Sequence, residues 1–222
     1  MIVTIDGPSG AGKTTVSLGL ARRLNYRHID TGALYRGVAA EALAAGVEAH
    51  DDPALSALFE TLALRFVRDG SRQRLFSGDK DLTDHIREHE IGMAASRFSA
   101  SPLVRDRLLE IQRKMGEEKQ AVFEGRDMGT VVFPAADVKF FLTASEKIRS
   151  LRRFKETPEE SGKTLDQIEK DMRLRDHQDS TRAIAPLKPA KDAIWVDSSD
   201  MTVHEVIERM AARVMEETKN KK

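Results

Sequence analysis

Gly7-Pro8-Ser9-Gly10-Ala11-Gly12-Lys13-Thr14 follows a short apolar run, Ile2-Val3-Thr4-Ile5, and leads directly into a stretch with helical spacing. Strand, glycine-rich loop and helix, in that order, form the context in which the pattern G-x-x-x-x-G-K-[ST] binds phosphate. Its glycines let the backbone turn tightly, so that successive N–H groups point at a phosphate chain. The helix starting at Lys13 adds the positive end of its dipole at the same place. Lys13 brings a mobile point charge to the terminal phosphates, and the hydroxyl of Thr14 or Thr15 can ligate magnesium. Residues Gly7 to Thr15 therefore read as the binding loop for a nucleoside triphosphate.

The bulk properties suit one domain of ordinary size with room for a smaller insertion, since the chain has 222 residues. Its 36 basic and 36 acidic residues cancel, so net charge does not point to nucleic acid or a membrane. Without cysteine there is no disulfide, thiolate metal site or cysteine nucleophile. Met1 runs straight into the first strand, leaving no room for a signal peptide, and no apolar stretch has the length of a membrane span. The expectation is a cytoplasmic protein, with nothing that demands more than a monomer.

Short apolar runs alternate with longer helical patterns, which predicts an α/β fold with a parallel sheet. After the first strand, Val16, Leu18, Leu20, Ala21 and Leu24 carry a helix. Further core strands are expected at Tyr26 to Asp30, Ala121 to Glu124, Val138 to Leu142 and Ala193 to Val196, with a helix from Ala33 to Ala45. Trp195 is expected in the core. Residues 1–50 and 116–222 form the core on this reading, and 51–115 an insertion. In the insertion a helix (Pro53 to Leu62) precedes Leu64 to Arg68 and Gln73 to Phe76, a hairpin joined across Asp69-Gly70. Helices follow over Asp84 to Phe98 and Pro102 to Met115. The charged tract 145–182 predicts two helices separated near Pro158 and Gly162. The tail Lys219 to Lys222 is expected to fray.

Two further motifs fall at the C-terminal ends of core strands, on the ligand side of such a sheet. They are Asp30-Thr31-Gly32-Ala33-Leu34-Tyr35-Arg36 and Glu124-Gly125-Arg126-Asp127-Met128-Gly129. Each sets an arginine beside a hydroxyl or carboxylate, the chemistry that holds a phosphate and a polar ring. Glu124 can hold a magnesium-bound water or cap the following turn. The basic residues Arg149, Arg152, Arg153, Lys155, Arg173 and Arg175 read mainly as a solvated face balanced by Glu146, Glu156, Asp171 and Asp176. Arg153 and Arg175 are the ones expected to act on phosphate. His85 and His89, one turn apart, lack a third metal ligand nearby in sequence.

With these motifs, and with Arg175-Asp176, Asp179, Arg182 and Ala185-Pro186-Leu187, the chain resembles the bacterial cytidylate kinase family among the nucleoside monophosphate kinases. The likeness spans nearly the whole sequence. It implies a P-loop kinase sheet of about five strands flanked by helices, an antiparallel insertion that binds the monophosphate, and a helical lid over about 145–182. It implies magnesium with ATP, and CMP or dCMP as acceptor. By the same resemblance Thr31 (serine in many relatives), Tyr35, Arg36 and Arg126 meet the acceptor phosphate or its surroundings. Ser96, Arg105 and Asp127 then read the base, Asp179 and Arg182 hold the sugar, and Arg175 reaches the phosphates. Guanylate kinase, or a P-loop ATPase or switch using ATP for conformation alone, are the competing readings.

Overall fold

The structure is a computed structural model that describes residues 1–69, 72–157 and 162–220. In chain order its first half runs β1 (Ile2–Asp6), α1 (Lys13–Leu24), β2 (Arg27–Asp30), α2 (Thr31–Ala44), α3 (Asp52–Thr61), β3 (Leu64–Asp69), β4 (Arg72–Ser77) and β5 (Lys80–Asp81). A 3-10 turn (His85–Arg87), α4 (His89–Phe98) and α5 (Pro102–Gly116) follow. The second half is β6 (Ala121–Gly125), a π-helical turn (Met128–Val132), β7 (Val138–Thr143), α6 (Glu146–Glu156), α7 (Leu165–Thr181), β8 (Ile194–Asp197) and α8 (Val203–Asn220).

Contacts divide the chain into two compact units, one of Met1–Asp30 with Met115–Lys222 and the other of Thr31–Lys114. The boundary falls earlier than the insertion expected from residue 51, because α2 packs with α4 and β4 inside the second unit.

The first unit is built on a five-stranded parallel sheet in the order β2-β6-β1-β7-β8. Strand alternation decides what each face carries. Val3 and Ile5 of β1 and Val122 of β6 join Val16, Leu20 and Ala21 of α1 and Val206, Met210, Ala211 and Val214 of α8 in one apolar cluster. Thr4 and Asp6 point to the other face, where the turn Met128–Val132 lies over them: a Cβ on Gly129 would come 3.1 Å from Thr4 Oγ1. The chain first goes from β1 to the β2 edge, returns through β6, and then crosses β1 to β7 and β8, so β1 sits where the strand order reverses. Ligands of open α/β sheets bind at that crevice, beyond the strands' C-terminal ends.

The phosphate loop leaves β1 at this point. A Cβ on Gly7, whose φ is +154°, would stand 1.9 Å from the backbone oxygen of Leu142 on β7, which lets only glycine pass. Gly12 caps α1 in the left-handed region at φ 86°.

In the second unit β3, β4 and β5 make a small antiparallel sheet. The β3–β4 pairing runs out to Asp69 opposite Arg72, while Gly70 of the expected hairpin turn lies outside the described residues. The short β5 was not expected; Gly78, at φ 55°, turns the chain back for it. The single helix expected over Asp84 to Phe98 is broken, because Glu88 adopts an extended backbone (φ −59°, ψ 146°) and its carboxylate meets His85 Nδ1 at 3.0 Å.

Two further expectations need correction. Trp195 is 58% exposed, not core. β8 is an edge strand whose inward position is Val196, so alternation turns Trp195 outward, where its ring leans on Phe141 at 4.9 Å. Lys219 and Asn220 are helical, as the last turn of α8, with Lys221 and Lys222 outside the described residues. The break expected within 145–182 is present: α6 ends at Glu156 and α7 begins at Leu165, with Thr164 as its N-cap in a capping box with Gln167, and Pro158 outside the described residues.

Gly7→Ala should destabilise the protein by roughly 2–3 kcal/mol, lowering the melting temperature by roughly 5–10 °C. A thermal melt unchanged from the parent would show that β7 yields to the added methyl group without strain.

Candidate active site

Cationic side chains hold three carbonyls of the loop. Lys13 Nζ donates to Pro8 O at 2.7 Å, Arg149 Nη1 to Ser9 O at 2.8 Å and Arg152 Nη1 to Ala11 O at 3.4 Å. In a trans peptide the C=O and the next N–H point opposite ways, so holding Ser9 O and Ala11 O turns the N–H groups of Gly10 and Gly12 to the other side. The first four N–H groups of α1 have no partner within the helix and open the same way. Ser9 N–H donates to Asp176 Oδ1 at 2.9 Å, and Arg149 also donates to Asp176 and to Ala144 O. Arg152 is fixed in turn by Ser198, through its hydroxyl and its carbonyl. The loop is thereby tied to α6, to α7 and to the segment after β8.

Lys13 stands among charges of both signs. Burial, then the positive charge of Arg126, lowers its pKa well below the usual lysine value; Glu124 opposes this, Arg175 adds to it and Asp176 opposes. An ammonium so placed gains by meeting an anion, and a triphosphate supplies one.

On the other face of β1, Asp6 is 3% exposed and accepts the N–H groups of Met128 and Gly129 at 2.9 and 2.8 Å. Burial raises its pKa to about 6; the two N–H groups and Lys13 pull it down, and Asp127 pushes it up. Asp6 therefore ties the start of the phosphate loop to the Arg126-Asp127-Met128-Gly129 motif.

That motif belongs to a charge cluster. Arg126 Nε donates to Asp179 Oδ2 at 2.9 Å, and Arg182 lies 3.6 Å from Asp127 and 4.0 Å from Asp179. Burial would raise the Asp179 pKa, but Arg126, Arg175 and Arg182 bring it below its ordinary value. Arg182 Nε is held by Ala185 O at 2.8 Å, and Asp179 O accepts Leu187 N–H at 2.7 Å, which gives Ala185-Pro186-Leu187 its part.

In the second unit, Thr31 and Tyr35 lie one turn apart on α2 and are buried. The Arg105 guanidinium sits 5.5 Å above the Tyr35 ring and donates to Ser99 O, while the Ser99 hydroxyl donates to the carbonyl of buried Ser96.

A magnesium ion held mainly through nucleotide phosphates asks the protein for one or two oxygens. The exposed Thr14 hydroxyl and the buried Glu124 carboxylate are of that kind. Among the described residues no group of three or more His, Cys, Asp or Glu could hold a metal by itself, His85 and His89 included.

The family model for cytidylate kinase matches residues 3–216. The chain belongs to the cytidylate kinase family. It is 46% identical over 217 residues to the cytidylate kinase of Citrifermentans bemidjiense, covering 97% of this chain and 93% of that one. With the cytidylate kinase of Pseudomonas aeruginosa it shares 47% over 211 residues, covering 93% and 92%. A solved structure of an uncharacterized protein from Eubacterium ventriosum superposes with a TM-score of 0.51 at 14% identity, covering 96% of this chain and 98% of that one, and shares the fold. As a member of this family the chain is a nucleoside monophosphate kinase, a phosphotransferase.

Within this kinase, the expected residues Arg126, Asp127, Arg175, Asp179 and Arg182 come together in the first unit. Thr31, Tyr35, Arg36, Ser96 and Arg105 all fall in the second. Arg153 points elsewhere: it is 38% exposed and pairs with Glu156 at 3.6 Å. Sequence reasoning placed Arg149 and Arg152 on a solvated face and gave no role to Asp6. The available signals were Asp6 directly preceding Gly7, and Arg149 and Arg152 sharing one face of α6 at spacing three.

Arg149→Ala should cost about 3 kcal/mol, because partly buried Asp176 and Ser9 O lose their buried cation. Arg153→Ala should stay within about 0.5 kcal/mol of the parent. Equal losses in denaturant titrations would remove the distinction between the two arginines.

Asp6 carries a pH signature. Its pKa is 3.8 when unfolded and about 6 when folded, so between these values the folded state keeps a proton that the unfolded state has lost. Asp6 thus makes stability fall as pH rises through that window. Asp179, with its lowered pKa, acts in the opposite sense, its contribution being lost as pH falls through the lowered value. Between pH 4.5 and 7.5, Asp6→Asn should gain about 2 kcal/mol relative to the parent. A stability difference that is the same at both pH values would show that Asp6 titrates normally.

Proposed function

We infer that this chain transfers the terminal phosphoryl group of ATP to CMP or dCMP, giving ADP and CDP or dCDP. The observation that carries this reading is the pairing, in one parallel sheet, of a loop whose N–H groups are turned toward a phosphate chain with the Arg126-Asp127-Asp179-Arg182 cluster, in a member of the cytidylate kinase family.

The acceptor oxygen of a nucleoside monophosphate is already largely ionised near neutral pH, so the reaction needs no general base. It attacks the terminal phosphorus, and the bond to the bridging oxygen breaks with ADP as leaving group. The obstacle is repulsion between two anions: each pair of unit charges at about 4 Å costs roughly 1 kcal/mol in water and about 4 at an effective dielectric of 20. Lys13, Arg36, Arg126 and Arg175 are proposed to offset it, and to stabilise the loose transition state. Magnesium, held with the nucleotide through Thr14 and a water on Glu124, would neutralise part of the phosphate charge. Residues Gly7 to Thr15 bind the ATP phosphates.

Asp127, with Ser96 and Arg105, is proposed to read the base. Cytosine presents an amino donor where uracil presents a carbonyl, and a carboxylate accepts from the first but meets only lone pairs on the second. Such sites discriminate strongly because the wrong ring leaves buried groups unpaired. Thr31, Tyr35, Asp179 and Arg182 complete the proposed acceptor contacts. No helix among the described residues is long and apolar enough to cross a membrane; the enzyme is proposed to act as a cytoplasmic monomer on free nucleotides, without nucleic acid.

An acceptor screen with ADP detection should show CMP and dCMP as good substrates, UMP as poor, and AMP and GMP as nearly inert. Equal rates with UMP and CMP would remove Asp127 from base reading. Lys13→Ala should lower turnover on the order of a hundredfold; turnover within a few-fold of the parent would remove Lys13 from its place on the phosphates.

A further inference from the structure

On the face of the sheet that α1 covers, three side chains from three elements converge below the phosphate loop. His28 of β2 sets Nε2 3.0 Å from Ser17 Oγ of α1 and 3.2 Å from Glu124 Oε1 of β6. The His28 and Glu124 side chains are 10% and 3% exposed, and Ser17 is fully buried. The Ser17 hydroxyl also lies 3.2 Å from the carbonyl of Thr14, the last residue of the loop motif.

One ring nitrogen faces two oxygens here, and chemistry selects among the arrangements. A bare Nε2 accepting from Ser17 would aim its lone pair at a buried carboxylate. With the proton on Nε2, the ring donates to Glu124 Oε1 and shares that N–H with Ser17 Oγ, whose own proton goes to Thr14 O. A buried carboxylate keeps its charge only when donors meet it, and the imidazole is such a donor.

We propose that His28 is a positioning residue for phosphoryl transfer: its Nε2–H orients the Glu124 carboxylate beside Lys13 and the ATP phosphates, and Ser17 locks the pair to the helix that carries the loop. This rests on the reading of Glu124 as the carboxylate next to magnesium-ATP. The charge of Glu124 also acts on Lys13, opposing what burial and Arg126 do to its ammonium. Outer contacts of this kind orient the groups that serve a metal, and their loss typically costs about 10–100-fold in metal affinity or activity. A histidine that merely satisfies the interior would make the same contacts but would not couple them to magnesium.

The test compares the parent with His28→Ala, His28→Gln and Glu124→Gln. Binding of N-methylanthraniloyl-ATP is followed by fluorescence during magnesium titration and in EDTA, alongside kcat and the KM for CMP. His28→Ala should raise the magnesium concentration for half-maximal binding about tenfold and lower kcat by a similar factor. Its binding in EDTA and its KM for CMP should stay within about twofold of the parent. His28→Gln, whose amide N–H replaces Nε2–H, should restore both quantities to within about threefold. If Glu124→Gln shifts the magnesium dependence and His28→Ala does not, the proposal is overturned while the reading of Glu124 stands. If Glu124→Gln leaves the magnesium dependence unchanged, that reading fails and the proposal falls with it. Equal weakening of His28→Ala in magnesium and EDTA, or a glutamine variant as impaired as the alanine one, also overturns it. Should His28→Ala not fold, His28→Gln decides alone, a loss beyond threefold counting against the proposal.

Discussion

The orientation of the peptide planes between Gly7 and Lys13 is the constraint on which the rest of this protein depends. Each plane offers a carbonyl to one side and an N–H to the other, and only the N–H side suits a phosphate. Lys13, Arg149 and Arg152 hold the carbonyls of Pro8, Ser9 and Ala11. The sheet then fixes where this arrangement stands: Gly7 passes so close to Leu142 that β7 itself walls the loop. A phosphate site made this way is organised before ligand arrives, which is the condition under which fixed dipoles stabilise developing charge at no reorganisation cost.

Around that loop the charges are arranged in tension. Lys13 lies near Arg126 and Arg175, and Asp6 near Asp127, so like charges of both signs face one another around the end of β1. Asp179 and Asp176 hold the arginines that would otherwise repel freely. Each carboxylate also ties distant parts of the chain together, Asp6 reaching the turn after β6 and Asp176 reaching from α7 to Ser9. The electrostatics and the folding of the site are therefore one matter: the groups that moderate the cationic field are also its mechanical ties.

The Arg126-to-Gly129 motif and the Asp179–Arg182 pair are far apart in sequence, yet the fold makes them one cluster because β6 ends beside β1 and α7 returns across the same crevice. Their residue types were legible: arginines next to carboxylates at strand ends announce anion chemistry. Their partners were not. Arg149 and Arg153 have the same composition and nearly the same local context on α6, yet the first is buried against Ser9 and Asp176 and the second is half-exposed beside Glu156. A four-residue offset on a helix turns a side chain only slightly, so which arginine meets the loop depends on how α6 docks, a tertiary quantity. Trp195 shows the same limit, since the alternation of β8 was readable while its position at the sheet edge was not.

By itself the sequence determined the phosphate loop, the five strands of the core, the hairpin pairing in the second unit and the two helices of the lid region. These follow from local physics: periodicity of apolar residues, glycines where the backbone must turn, and breaks between helices. Only the tertiary structure decided that α2 belongs with residues up to Lys114, that Glu88 interrupts a helix, that Asp6 is buried enough to titrate near 6, and that His28 meets Glu124. Each of these depends on which groups from remote segments surround a residue, and burial and charge proximity are properties of the packed chain that no local pattern encodes.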